Sequence, residues 1–151
     1  MFKFRLDPLI TIRDNHLKER QAELAQAYNA QRICEENLQT LGKLIEEGIA
    51  TARNMMQSGQ RVDVHFLRGI QEHELVLRAN HEEWTKNLQT VNEEVERRRR
   101  LVVDANKELK KVEKLKEKRY EEYLEEEKKQ ETKAMDEIAG NRKIVRQGSR
   151  E

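Results

Sequence analysis

The chain contains few proline, cysteine and aromatic residues, and it has no long run of apolar residues. Proline occurs once and aromatic residues make up 5%, whereas 39% of the residues are charged and 36% are hydrophobic. Ordinary globular domains are about 25% charged and about 5% proline. Too little apolar material is present for a thick core, which excludes most globular folds. Because proline is the residue that breaks helices most strongly, its scarcity favours long helices.

Other absences limit the compartment and the partners. Cys34 is the one cysteine, so no intrachain disulfide can form and an oxidising compartment is not indicated. No stretch of about 18 apolar residues is present to cross a bilayer, and the opening Met1-Phe-Lys-Phe-Arg-Leu6 does not resemble a secretory signal. Thirty basic residues against 29 acidic ones leave a net charge of +1, which favours neither nucleic acid nor an anionic membrane. We expect a cytoplasmic protein with no nucleic-acid partner and no direct membrane insertion.

A first helix is predicted to begin at Asp7-Pro8, since aspartate caps free backbone N–H groups and proline suits the first helical turn. Downstream, apolar residues recur in two interleaved heptad series, the pattern of a narrow coiled-coil seam. The two series are Ile10, Leu17, Leu24, Gln31, Leu38, Ile45 and Ala52, and Arg13, Arg20, Ala27, Cys34, Leu41, Gly48 and Met55. They predict the buried face of a first arm over residues 8–57.

The heptad pattern breaks at residues 58–62, which are predicted to form a turn. Gly59 suits a left-handed position after a helix, and Asp63 suits the N-cap of the next helix. Two further heptad series follow, in a second arm over residues 63–139. They are Leu67, Glu74, His81, Leu88, Val95, Val102 and Leu109, and Ile70, Leu77, Trp84, Val91, Arg98, Ala105 and Val112.

Helices joined by so short a turn are antiparallel neighbours, so folding the chain about Gln60 places Pro8 opposite Val112. The second arm loses its apolar heptads beyond Val112, which agrees with that end point. Residues 113–139 then form a helical overhang of about 40 Å without a partner, and residues 140–151 form a disordered tail. The predicted fold class is all-α: a long antiparallel two-helix coiled-coil hairpin with a C-terminal helical overhang.

Few residues in the chain could carry chemistry. The four histidines contain no i, i+4 pair that would hold a metal, and no glycine-rich phosphate loop precedes a Lys-Ser/Thr pair. A two-helix hairpin also cannot enclose a dry catalytic pocket. We therefore expect no enzymatic activity, no catalytic or metal-binding residue and no cofactor.

Two surface features suggest partners. Residues 97–119 carry a net charge of +7 and residues 120–137 a net charge of −5. The four arginines that open the basic block form either a solvated face or a docking site for an acidic partner. Near the turn, Phe66 and Leu44 lie off the narrow seam, and they either form a partner site or cap the end of the coiled coil.

The order and spacing of several segments resemble one family. The opening Phe2-Lys-Phe-Arg-Leu-Asp-Pro-Leu-Ile-Thr-Ile-Arg13 runs into Glu19-Arg-Gln-Ala-Glu-Leu-Ala25. Further on, Leu109-x-x-Val-Glu-Lys-Leu-Lys-Glu-Lys118 is followed by acidic residues and Asp136-Glu-Ile-Ala139. Together these segments resemble the flagellar export protein FliJ over nearly the whole chain. The resemblance implies an antiparallel coiled coil that looks like the central stalk of a rotary ATPase and that serves the flagellar type III protein export apparatus.

The resemblance further implies three kinds of partner. The terminal ends enter the pore of the hexameric export ATPase (FliI) and promote its assembly and activity. The hairpin binds the cytoplasmic domain of the export gate (FlhA), and export chaperones bind as well. Such a protein is a monomer on its own, peripheral to the inner face of the cell membrane at the flagellar base. By resemblance, the gate-binding residues are Asn37, Leu41, Leu44, Phe66, Ile70, His73 and Leu77.

We place the contacts to the ATPase ring in the N-terminal residues and in the second arm. They are Phe2, Phe4, Leu6, Arg97, Arg98, Arg99, Arg100, Tyr120, Tyr123, Leu124 and Ile138. Two alternatives stay open. One is the equivalent stalk of a virulence type III secretion system, and the other is a structural coiled coil that associates with itself.

Overall fold

The computed structural model describes residues 1–59 and 61–148, with side chains described as far as Arg142. Two α-helices make up almost all of this part of the chain: α1 (Asp7–Gln57) and α2 (Val64–Gly148). The described residues contain no strand. The predicted all-α class is therefore confirmed, and the length of both helices follows from the absence of proline after the first turn of α1.

Helix α1 begins one residue before the predicted arm, and its cap differs from the prediction. The carbonyl oxygen of Leu6 accepts hydrogen bonds from the backbone N–H groups of Leu9 at 2.9 Å and Ile10 at 3.2 Å. Leu6 therefore precedes the first helical residue, and Asp7 is already inside the helix. The Asp7 carboxylate pairs instead with Lys116 Nζ at 2.6 Å. Pro8 is tolerated because backbone N–H groups in the first turn have no partner within the helix.

The connection between the helices has the expected chemistry at both of its described ends. Gly59 adopts φ +66°, the left-handed conformation predicted for it. The backbone N–H of His65 donates to Asp63 Oδ1 at 2.9 Å, so Asp63 is the N-cap of α2 and Val64 its first residue. The centre of the predicted turn, Gln60, lies outside the described residues.

The buried face of both helices is the predicted seam. Among the residues whose side chains are described, seven hydrophobic ones are buried, and all of them belong to the four heptad series. They are Leu17, Ala27, Cys34, Leu77, Val95, Ala105 and Leu109. Every other residue of those series is half-buried, including the glycine, glutamine and arginine positions that interrupt the apolar pattern. A narrow seam is what a two-helix coiled coil can bury, and it explains why no large side chain is completely enclosed among the described residues.

The chain divides into two compact units, and both helices contribute to each. Residues 18–104 form one unit, in which the helices run antiparallel. Gln31 Nε2 donates to Asn92 Oδ1 at 2.7 Å, and Arg99 Nη2 donates to the Tyr28 hydroxyl at 3.0 Å. These bonds join residues more than sixty positions apart in sequence, as the predicted hairpin requires.

The other unit comprises residues 1–17 together with the chain from residue 105 onwards. Here the overhang is present, but it starts later than predicted. The residues before α1 lie along α2, where the ring of Phe2 contacts the rings of Tyr120 and Tyr123. Lys116, Tyr120 and Tyr123 of the predicted overhang therefore contact the N-terminal part of the chain, and the uninterrupted exposed part of α2 begins at Leu124. Heptad spacing could not predict this contact, because residues 1–6 precede the helix and have no helical periodicity.

Helix α2 also continues farther than the predicted end of the second arm. It includes residues 140–148, which the sequence had assigned to a disordered tail. A single glycine such as Gly140 costs a helix about 1 kcal/mol, but it does not remove a hydrogen-bond donor as proline does. The remainder of the predicted tail, residues 149–151, lies outside the described part of the chain.

Candidate interaction surfaces

An apolar groove of about 180 Å³ lies between the two helices near the turn, and we call it the tip groove. Its walls come from both helices, because side chains beside the seam of α1 face side chains beside the seam of α2. The lining residues are Leu44, Ile45, Gly48, Thr51, Phe66, Ile70, His73, Glu74 and Leu77. Five of the seven residues predicted to bind the export gate line this groove. The other two, Asn37 and Leu41, do not line it.

Burial separates the predicted gate residues into two groups. Leu44 is 41% exposed and Phe66 is 51% exposed, so a partner could reach both side chains. His73 is also exposed. Leu77, in contrast, is only 7% exposed and belongs to the core. Since Leu77 occupies a heptad position, its burial was foreseeable from its spacing.

Four further lining residues, Ile45, Gly48, Thr51 and Glu74, were not among the predicted site residues. Gly48 stands where the heptad series would place a core side chain, and a Cβ built there would meet no atom within 4 Å. The missing side chain therefore opens the floor of the groove. Ile45 forms part of the wall, and Glu74 forms part of the edge, where its carboxylate pairs with Arg78 Nη2 at 2.7 Å. The break in the apolar pattern at Gly48 was the sequence signal for a groove at this level.

A second surface is aromatic and lies where the first residues meet α2. The Phe2 ring lies 6.5 Å from Phe4, 5.3 Å from Tyr120 and 5.5 Å from Tyr123, between ring centroids. A wider groove of about 630 Å³ adjoins it, lined by Phe2, Ile10, Glu113, Lys116, Glu117 and Tyr120. Four predicted ring contacts are thus brought together by packing.

The other predicted apolar ring contacts, Leu6, Leu124 and Ile138, are not among the residues that form the aromatic surface or line its groove. The Tyr123 hydroxyl donates a hydrogen bond to the carboxylate of Glu127, and this bond raises the pKa of Tyr123 above its usual value. Leu6 is half-buried. Leu124 and Ile138 are 36% and 59% exposed on α2, so no part of this unit covers them fully.

In the arginine run, residues 97–100, three of the four side chains form hydrogen bonds within the chain. Glu94 accepts hydrogen bonds from Arg97 Nη2 and Arg98 Nε, each at 2.6 Å, and Arg98 Nη1 also donates to the Glu23 carbonyl oxygen at 2.5 Å. The hydrogen bonds from Arg97 and Arg98 hold the pKa of Glu94 at about 2. Arg99 bonds to Tyr28 on the facing helix. The run therefore helps to join the two helices, a role that the composition of the run alone did not indicate.

The described residues offer neither a metal site nor a membrane-spanning segment. No three His, Cys, Asp or Glu side chains among them are close enough to hold a metal ion. Neither helix, over its described length, includes a segment sufficiently long and apolar to span a bilayer.

Comparisons with known proteins agree with this architecture. No curated protein sequence matches the chain. Among solved structures, the chain is similar to a protein described as a YscO homologue from Chlamydia trachomatis, with a TM-score of 0.63 over 92% of this chain and 93% of that one. Their sequences are 18% identical, so this likeness concerns the fold. The family described as flagellar FliJ protein matches residues 2–148. The chain therefore belongs to the FliJ family of flagellar proteins, as the sequence resemblance predicted.

Proposed function

We propose that this protein is a non-enzymatic stalk of the flagellar type III export apparatus, which inserts into the hexameric export ATPase and links it to the export gate. One observation above all supports the proposal. Every residue of α2 from Leu124 to Arg142 is exposed, although the helix carries Leu124, Met135 and Ile138. A lone helix gains little from its own propensities and is normally stabilised by packing. An enclosing ring would supply that packing.

The aromatic surface gives the proposed stalk a second point of contact. The first six residues lie on α2 through Phe2, so two chain segments would enter the ring side by side. Two dissimilar segments inside a six-fold ring touch its subunits unequally, and such asymmetry favours different states in different subunits. The arginine run would contribute mainly orientation, because three of its four side chains already bond within the chain.

The rate of ATP hydrolysis by the cognate export ATPase tests this mechanism. The full chain is compared with a chain that ends at Tyr123, which keeps the aromatic surface and removes the residues beyond it. We expect the full chain to stimulate hydrolysis and the shortened chain to fail. Ile138→Asp and Ile12→Asp form a matched pair, since these side chains are 59% and 63% exposed. Only Ile138→Asp should lower stimulation, and equal effects of the two substitutions would contradict the insertion of α2.

The tip groove is our proposed site for the cytoplasmic domain of the export gate. Its accessible apolar side chains Leu44 and Phe66 supply the kind of buried anchor contact that dominates protein interfaces. Phe66→Ala should weaken binding of that domain by about tenfold or more. Leu75→Ala is the matched control, because Leu75 is 67% exposed on α2 but does not line the groove. Equal affinities of the two variants would remove the groove from the gate interface.

The proposed stalk is a monomer on its own and acts in the cytoplasm, at the membrane-facing base of the flagellum. Export chaperones are further proposed partners. The match to the flagellar family favours the flagellar system over the equivalent stalk of a virulence secretion system. Light scattering on the purified chain distinguishes the stalk from a self-associating structural coiled coil. A dimer that buries the exposed part of α2 would favour the structural coiled coil.

A further inference from the structure

Between Ala30 and Thr51 on α1 and between Phe66 and Asn87 on α2, one side of the helix pair lacks the charges that normally flank a coiled-coil seam. In two-stranded coiled coils these flanking positions usually carry glutamate and lysine. Here eight flanking positions, four in a row on each helix, carry no Asp, Glu, Lys or Arg, although 39% of the chain is charged. Each of them immediately precedes a residue of the first heptad series of its helix. We call them the neutral stripe. They are Ala30, Asn37, Leu44 and Thr51 on α1, and Phe66, His73, Asn80 and Asn87 on α2.

The two halves of the neutral stripe lie on the same side of the helix pair. Leu44 and Thr51 from α1 line the tip groove together with Phe66 and His73 from α2. The other side of the pair is marked by the bond between Tyr28 and Arg99. Six of the eight stripe residues are exposed, and the other two are half-buried. The stripe is therefore a surface that a partner can reach.

The neutral stripe has definite ends and apolar borders. The next flanking positions are Glu23 on α1 and Glu94 on α2, and the Glu94 carboxylate forms ion pairs with two arginines. Along α2 the stripe covers about 30 Å. On its outer borders Ile33 and Val76 are 42% and 57% exposed, which widens the apolar surface. The stripe's length of about 30 Å along α2 equals about six turns of helix.

An uncharged surface of this kind favours a partner whose contacting face is also uncharged. A partner that presents charge to it would lose hydration of that charge without gaining a counter-ion. The space between two neighbouring helices fits a third helix, which binds through apolar side chains at intervals of three, four and seven residues. The tip groove, about 180 Å³ in volume, has room for one large apolar side chain. Asparagines farther along the stripe offer amide donors and acceptors.

We infer that the neutral stripe binds an amphipathic helix of a protein partner, about 20 residues long, which completes a three-helix arrangement. The bound face of that helix is uncharged. It places one large apolar side chain in the tip groove and amide or hydroxyl side chains opposite Asn80 and Asn87. The inference rests on the proposed binding of the export gate, and it adds the form of the partner segment and two recognition residues outside the groove.

Isosteric charge substitutions test the stripe without changing its shape. Asn80→Asp places a carboxylate on the stripe, and Gln71→Glu places one at an exposed position of the same helix on the other side. Binding of the gate's cytoplasmic domain to the full chain is measured by calorimetry at about 50 mM and about 500 mM NaCl. We expect Asn80→Asp to weaken binding about tenfold and Gln71→Glu to change it less than about twofold. The wild-type Kd should differ less than about threefold between the two salt concentrations.

Two results would overturn the inference while leaving gate binding intact. One is equal affinity of Asn80→Asp and Gln71→Glu, and the other is a steep loss of wild-type affinity in high salt. A photo-crosslinker at Asn80 or Asn87 tests the helical form of the partner segment. Attachment to partner residues three, four or seven apart on one helix supports the inference, whereas attachment to an extended segment contradicts it.

Failure of the wild-type chain to bind the gate domain would count against the proposed gate interaction. An export assay in cells then tests whether the neutral stripe binds a helix. In a strain that lacks the gene, export of flagellar filament protein is restored with each variant. Reduced export with Asn80→Asp and normal export with Gln71→Glu supports a helix from another protein on the stripe. Equal export by the two variants, with equal helicity by circular dichroism, overturns it.

Discussion

The ring of Phe2 lies 5.3 Å from the ring of Tyr120, edge to face. This contact joins a residue that precedes α1 to a residue that the sequence had placed in an unpartnered overhang. Edge-to-face aromatic pairs contribute about 0.5–1.5 kcal/mol beyond the area they bury. The contact therefore gives part of the predicted overhang a partner within the chain.

Phe2→Ala should release the first residues from α2 without unfolding the hairpin. We expect faster amide hydrogen exchange in residues 1–7 and around Tyr120, with little change near the turn, because the substitution removes only one local aromatic contact. Ile12→Ala serves as the control, since Ile12 is exposed and makes no aromatic contact in the described structure. Unchanged exchange around Tyr120 in Phe2→Ala would show that the contact does not protect α2.

The same glycine-to-alanine change should have opposite effects at Gly59 and Gly42. Gly59 has φ +66°, where alanine is strained, so Gly59→Ala should lower the free energy of unfolding by about 1 kcal/mol. Gly42 lies inside α1, and a Cβ there would meet no atom within 4 Å. Gly42→Ala should raise the free energy of unfolding by about 1 kcal/mol. Urea denaturation measures both, and a stabilising Gly59→Ala would contradict the left-handed turn.

Glu94 should remain ionised far into the acid range. Its pKa is lowered to about 2 by hydrogen bonds from Arg97 and Arg98. Because the pKa is lower in the folded state, the ionised carboxylate stabilises that state above the ordinary value of 4.5. This stabilisation is lost as the pH falls towards about 2. Carboxyl NMR titration of Glu94 should give the low midpoint, and Arg97→Gln should move it towards the ordinary value. A midpoint near 4.5 in the unaltered protein would contradict these bonds.

Two leucines of α2 should differ sharply in their effect on stability. Leu109 is 7% exposed in the seam, so Leu109→Ala should lower the free energy of unfolding by about 2–4 kcal/mol. Leu124 begins the exposed part of α2, and Leu124→Ala should change it by less than about 0.5 kcal/mol. Thermal unfolding followed by circular dichroism provides the comparison. A large effect at Leu124 would mean that the overhang packs against the protein itself in solution.

Much of the architecture was predictable because a coiled coil repeats one local rule. The heptad positions located the buried faces of both helices, and Gly59 and Asp63 located the turn by their backbone preferences. The predicted accessibility of Phe66 followed from its place beside the seam. In each case the relevant interaction lies within a few residues in sequence or repeats at a constant interval.

The remaining features could not be read from spacing. Phe2 packs on Tyr120 from an extended segment, which has no period to reveal its partner. Asp7 suits an N-cap by residue type, yet its carboxylate binds Lys116 on the facing helix. The arginine run looked solvated or ready for a partner, whereas Arg98 bonds to the backbone of α1. All three contacts join positions distant in sequence and depend on how the helices meet.

The sequence by itself determined that this protein consists of two long helices with a narrow seam and a short turn. It also determined that the protein belongs to the FliJ family. The helices, the seam and the turn follow from composition, period and local backbone chemistry, whereas the family follows from the resemblance of whole segments. Only the tertiary structure decided which flanking residues share a side, that Gly48 opens a groove and that the residues before α1 contact α2 at Tyr120 and Tyr123. The physical reason is that grooves and unpaired surfaces depend on the mutual position of two helices, which no single helix specifies.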